Sequence, residues 1–264
     1  MATKGLLHTI QEGHSIKEAV LSFTVTPQIQ DPLSYKRLVE IGGALSESYH
    51  KFEPVKTVEV KMDINPVSTQ YKTITDSGFK LIGFRNGQAT NIIQGLNQPH
   101  SGVFTFNTVK YSRWHEFTPS VLNSAEKIAA FNPMYKALSF GLLFIDEFYF
   151  EDVGNYIPNE LFNDKSKNLP QGIFDSAIMD YNLVMRRNKE GKVYQENLSI
   201  KIFDEGIKKI IRIIDNITFL IRPLNFIELL KNPILRSNLD FIHNENKSIL
   251  IDILNPEVSS LIGL

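Results

Sequence analysis

The chain contains no cysteine. That excludes a disulfide framework, a thiolate metal cage and a cysteine nucleophile, and it agrees with a reducing compartment. A large charge of either sign is missing as well: 28 basic and 29 acidic side chains leave a formal net charge of -1. A surface that coats nucleic acid or an anionic membrane over its whole extent is thereby excluded, while a local basic patch is not. Long apolar runs are also absent. The longest, Ala137 to Phe150, is interrupted by Asp146 and Glu147 and falls short of the ~20 residues that cross a bilayer, so no membrane partner is expected. The first twenty residues include Glu12, His14, Lys17 and Glu18, which does not read as a signal peptide, and a cytoplasmic location is expected. No serine-centred elbow, phosphate loop or dinucleotide fingerprint occurs: Ile41-Gly42-Gly43-Ala44 lacks both the spacing and the preceding strand and turn. No cofactor is expected.

What the chain does have is apolar and aromatic. Its 264 residues are 42% hydrophobic and include 18 Phe and 9 Tyr, enough for one large domain or two small ones, and suited to a pleated, half-buried sheet. Alternation predicts a first strand over Ile16 to Val25, with Ala19, Leu21, Phe23 and Val25 inward. Asp31-Pro32 reads as a cap and first helical residue, with Tyr35, Leu38, Val39, Leu45 and Tyr49 at helical spacing to about His50. Val58 to Met62, Phe79 to Phe84, Gln88 to Gln94 and Val103 to Thr108 read as an antiparallel meander with a type I′ turn at Asn86-Gly87. A helix follows from about Ser112, with Trp114, Phe117, Val121, Ala125 and Ile128 on one stripe and Pro119 placed to kink or split it.

The same order then recurs. Leu138 to Phe150 predicts a strand, and Asn155 to Phe162 a short helix or turn. Ile173 to Arg187 and Val193 to Phe203 form a hairpin around Lys189-Glu190-Gly191, Ile207 to Ile221 is a further strand, and Pro223 opens a helical region. Leu235, Leu239 and Ile242 mark a late helix, and Asn255-Pro256-Glu257 starts a terminal one. The expected fold is therefore α+β, antiparallel sheets with packed helices, in two topologically similar strand-helix-meander-helix halves over residues 1–135 and 136–264.

Gly78-Phe79-x-Leu81, the Asn86-Gly87 turn, Gln94, Phe104, Phe106 and Tyr111-x-x-Trp114-x-x-Phe117 together resemble a sporadically distributed family of uncharacterised bacterial and archaeal proteins of about this length. Ile16-Lys17-Glu18-Ala19-Val20 and Leu239-Asp240-Phe241-Ile242-His243 are similar to its opening and late motifs. Leu142 to Glu147 stands where that family carries an Arg-Tyr-Ile-Asn core, and its arginine and asparagine are absent here. The resemblance implies no particular reaction. Its patchy distribution implies mobile or defence-associated gene neighbourhoods.

Candidate chemistry is sparse. The histidines at 8, 14, 50, 100, 115 and 243 show no metal-ligand spacing, so no metal is expected, and structural roles suffice for His115 and His243. Asp146 and Glu147 are more informative, because alternation assigns one carboxylate to each face of an apolar strand. Either they reach solvent or a cation, or one of them is a proton-transfer group of a hydrolase. Asp215, in phase with Ile211, Ile213 and Ile217, poses the same question. Between Leu183 and Arg222 basic side chains outnumber acidic ones nine to five, and Arg186, Arg187, Lys189, Lys208, Lys209 and Arg212 form either a nucleic-acid contact or the solvated face of a sheet. Tyr111, Trp114 and Phe117 are expected to be structural, with Trp114 and Phe117 in the core. The leading expectation is a non-enzymatic binding or regulatory protein with a protein partner or a second copy of itself; the alternative is a nucleic-acid module.

Overall fold

The structure, a computed structural model, describes residues 7–10, 14–63, 68–109, 111 and 113–264. Ten strands run as β1 (Leu7–Thr9), β2 (Ile16–Thr26), β3 (Lys51–Asp63), β4 (Ser68–Arg85), β5 (Gln88–Asn97), β6 (Gly102–Thr108), β7 (Lys136–Phe150), β8 (Met179–Lys189), β9 (Lys192–Glu205) and β10 (Lys208–Asn225). Five α-helices among the described residues accompany them: α1 (Trp114–Phe131), α2 (Pro158–Leu161), α3 (Phe226–Lys231), α4 (Pro233–Ile253) and α5 (Pro256–Leu261). The α+β expectation holds, but the strands join a single antiparallel sheet where separate sheets in two similar halves were expected, in the order β3-β4-β5-β6-β2-β7-β10-β9-β8 with β1 on β7. Compactness divides the chain into Met1–Ala19, Gly141–Phe219 and Pro233–Leu264 as one unit and Val20–Phe140 with Leu220–Asn232 as the other. Three of these boundaries fall inside β2, β7 and β10, and the fourth lies between α3 and α4. Among the described residues no helix is long and apolar enough to cross a membrane.

In the unit built on Val20–Phe140, alternation puts Leu21, Phe23 and Val25 in the core and leaves Ser22 and Thr24 half-exposed. Tyr35 stacks on Phe79 at 4.2 Å, Phe104 lies parallel to Phe226 of α3 at 6.2 Å, and Phe23 meets Phe226 at 4.9 Å. Such ring pairs each add ~0.5–1.5 kcal/mol beyond the area they bury. The Tyr35 and Tyr135 hydroxyls, 2.9 Å apart, satisfy each other inside this aromatic layer.

The helix expected from Asp31 to His50 is a correction: only Pro32–Leu38 coils, as a 3₁₀ helix, and turns follow. Asp31 sits in the left-handed region (φ 45) and makes no side-chain cap. Gly42 takes φ +78, and a Cβ on Gly43 would meet the Arg37 carbonyl oxygen at 2.3 Å, so the chain folds back on its last turn where a helix would have to continue. The Asn86-Gly87 turn is as expected, both residues at positive φ. Pro119 neither ends nor splits α1, because it lies near the N-terminus and removes a single backbone bond. The expected helix start at Ser112 lies outside the described residues.

In the other unit β8 begins at Met179, not Ile173, since Ile173 is buried in a 3₁₀ turn over Gln171–Asp175. α4 lies along β7, β10 and β9: His243 meets Phe144 at 5.8 Å, and Phe241 packs edge-on against Tyr194 and Phe219. Asn255 caps α5 by accepting from the Glu257 N–H.

Trp114 departs from expectation. Phe117 is buried, but Trp114 stands half-exposed at the first turn of α1, 5.9 Å from Phe117. Phe117→Ala is expected to cost ~3–4 kcal/mol, and Trp114→Ala only ~1–2, in urea denaturation. Trp114 is the single tryptophan, so native emission should be quenched readily by acrylamide; resistance to quenching would return it to the core.

Candidate functional site

Residues 146 and 147 must point to opposite sides of β7 because the side-chain period of a strand is two. Glu147 takes the side away from α4. There it is 5% exposed, with the Lys17 Nζ 2.9 Å from both carboxylate oxygens and the Arg212 Nε and Nη2 donating to its Oε2 at 2.9 and 2.7 Å. Two cations in charge-assisted contact converge on this one carboxylate, so Glu147 organises positive groups from β2 and β10 on this side. Asp146 takes the other side. It is wholly buried, accepts one bond from the Ser15 hydroxyl at 2.6 Å, and its Oδ2 has no hydrogen-bond partner among the described residues. Burial pushes its carboxyl up to about 7, against the lowering effect of Ser15.

Three more carboxylates share the α4 side. Asp215 is 1% exposed; its Oδ2 accepts from the Asn246 amide at 3.1 Å and its Oδ1 has no partner among the described residues. Burial raises it to about 7, and the charges of Glu196, Asp146 and Glu245 act in the same direction. Glu196 is held by Arg187 at 3.1 and 3.3 Å. Glu245 of α4 accepts from the Tyr194 hydroxyl at 2.9 Å and pairs with Lys189. His243 is lowered to about 4, by burial first and then by the Lys247 charge, and so is neutral at neutral pH. Ser15, Tyr194, Glu196, Glu245 and Asn246 were not singled out from sequence. The available signal was Glu245-Asn246, two polar residues interrupting the apolar stripe of Leu239, Ile242 and Ile249.

The six basic candidates do not lie on one face. Register places Arg187, Lys189 and Lys209 on the α4 side and Arg186, Lys208 and Arg212 on the other. They are also spread along the sheet: Lys189 pairs with Lys192 at one end of β9 and Lys208 with Glu205 at the other, on the order of 45 Å apart at ~3.3 Å per residue. Arg187, Lys189 and Arg212 are occupied by Glu196, Glu245 and Glu147, and Lys209 is buried against Asp204 and the Ala177 carbonyl oxygen. Lys208 sits 4.5 Å over the Tyr149 ring, and Arg186 is exposed. Of the signature residues, Tyr111 and Phe117 pack together at 5.8 Å. His115 is exposed beside Glu116. Among the described residues no group of three or more histidine, aspartate or glutamate side chains is arranged to hold a metal.

A different feature stands out on the Val20–Phe140 unit. The residues opposite its aromatic layer form three cross-strand rows: Ile82, Ile92 and Asn107; Lys80, Gln94 and Thr105; Gly78, Leu96 and Val103. Apart from the buried Gly78 all are half-exposed, and Lys80 is the one charged member across β4 to β6; on β3 the rows continue into Val55 and the paired Lys51 and Glu53. No family model matches the sequence, and no curated protein does so either.

Removing Arg212 leaves the buried Glu147 carboxylate with Lys17 alone. Arg212→Ala is expected to cost ~2 kcal/mol by urea denaturation, and Glu147→Gln less, because glutamine strands no buried charge. A neutral Arg212→Ala would show that solvent screens the cluster.

Proposed function

We propose that this protein works by binding, as a non-enzymatic recognition or regulatory component whose partner is a protein, a second copy of itself included. The observation that carries the reading is the open face of β4, β5 and β6. Exposed faces of antiparallel sheets are ordinarily polar. This one sets Ile82, Ile92, Leu96 and Val103 among Thr105, Gln94 and Asn107 with a single lysine, and depletion of charge at a contiguous patch is the compositional mark of an interface core.

The face has too few cations to neutralise phosphates, and four of the six basic candidates elsewhere are engaged by the protein's own groups, which favours a protein over a nucleic acid. A hydrolase drawing on both Asp146 and Glu147 is disfavoured because the two carboxylates occupy opposite sides of β7. The family resemblance supports a partner encoded in a neighbouring, mobile or defence-associated gene. Two like halves belong to the same reading: β2 is followed by the meander β3 to β6 and then α1, and β7 by β8 to β10 and then α3.

A photo-crosslinking amino acid at Thr105, compared with one at the exposed Glu228 of α3, tests this in the producing cell. A discrete protein adduct is expected from position 105 alone, and Ile92→Lys should abolish it while thermal unfolding stays unchanged. Equal labelling from both positions, or none from 105, would sink the reading; an adduct with nucleic acid would favour the alternative.

A further inference from the structure

We propose that α4 is a proton-dependent latch, seated on β7, β10 and β9 while Asp146 and Asp215 carry protons and loosened when both ionise. The inference rests on the charge count beneath the helix and is independent of the partner. Asp146 of β7 lies two residues along the strand from Phe144, whose ring meets His243 of α4. Asp215 of β10 lies opposite Leu198 of β9 and is bonded to Asn246 of α4. Facing this pair are Ser15 from the segment before β2, Arg187 and Lys189 from β8, Tyr194 and Glu196 from β9, and His243, Glu245 and Asn246 from α4. Arg187 is consumed by Glu196 and Lys189 by Glu245. The other cations on this side are also committed, Lys192 to Asn238 and the Phe241 ring and Lys209 to Asp204 and the Ala177 carbonyl oxygen, so the two carboxylates without a cation are Asp146 and Asp215. His243 cannot make up the difference, because burial keeps it neutral. Each remaining aspartate also has one buried oxygen without a partner among the described residues, an arrangement that suits a protonated carboxyl better than an anion.

The direction of the effect follows from linkage. A carboxyl raised from its ordinary ~4 in the unfolded chain to about 7 in the folded one binds its proton more tightly when seated. The stability it contributes is complete below about pH 4 and is lost as the pH rises through about 7. The loss should be local to α4, because Asp215 touches that helix directly and the like charges of Glu196 and Glu245 press on the same anions.

Hydrogen exchange followed by mass spectrometry on the full chain tests the latch, with α1 as internal reference and intrinsic rates corrected for pH. Protection across residues 233–253 is expected to fall tenfold or more relative to α1 between about pH 6 and about pH 8.5. Asp146→Asn combined with Asp215→Asn should make α4 protection independent of pH. If α4 tracks α1 across the range in the parent protein, or if the double variant keeps the drop, the latch is wrong. Infrared spectroscopy of the parent protein gives a reading that needs no variant: a protonated-carboxyl carbonyl band should be present near pH 6 and disappear by about pH 8.5. Its absence at pH 6 would overturn the proposal.

Discussion

The period-two alternation of side chains along a strand is the constraint on which everything else in this protein rests. Adjacent residues of a strand therefore face different elements and meet different partners. Asp146 and Glu147 are neighbours in the chain and strangers in chemistry: one is dry beneath α4, the other is clasped by Lys17 and Arg212. Arg186 and Arg187 divide in the same way, the first exposed and the second spent on Glu196. Adjacent charges in this chain are therefore not pairs, and a count of charges along the sequence overstates what any one surface presents.

The two faces manage their charges differently. On the side away from α4, two cations converge on Glu147, and the mutual neutralisation offsets the cost of placing a carboxylate where it is nearly buried. Beneath α4 the cations run out. Arg187 and Lys189 are matched to Glu196 and Glu245, leaving Asp146 and Asp215 to a serine hydroxyl and an asparagine amide. Neutral donors stabilise an anion too weakly to offset its desolvation, which is why both aspartates hold their protons to about pH 7. The open face of β4 to β6 uses little charge: Lys80 is its one charged member, and Lys51 and Glu53 pair with each other beside it on β3.

Much of the fold was legible in the sequence. Alternation located β2 and β5 to within a few residues, Asn86-Gly87 located a hairpin, and Asn255-Pro256 located the start of α5, because each signal is a local preference of the backbone. The failures were local signals overruled by close packing. The spacing of Tyr35, Leu38, Leu45 and Tyr49 suits a helix, yet the chain folds back at Gly42-Gly43 onto the Arg37 and Leu38 carbonyls, and Tyr35 stacks on Phe79, a contact between residues far apart in the chain. Trp114 shares a stripe with Phe117, but the stripe continues beyond the surface that β6 and α3 provide.

The candidate sites divide along the same line. By itself the sequence determined that Asp146 and Glu147 take opposite faces, that no cysteine chemistry exists, and that a basic excess lies between residues 183 and 222. Only the tertiary structure decided which carboxylate receives cations and which receives a hydroxyl, and which basic residues remain available to anything outside the protein. The physical reason is that charge compensation depends on distances between elements. Ser15 and Asp146 are 131 positions apart in the chain and 2.6 Å apart in space, and no periodicity within one strand encodes that meeting.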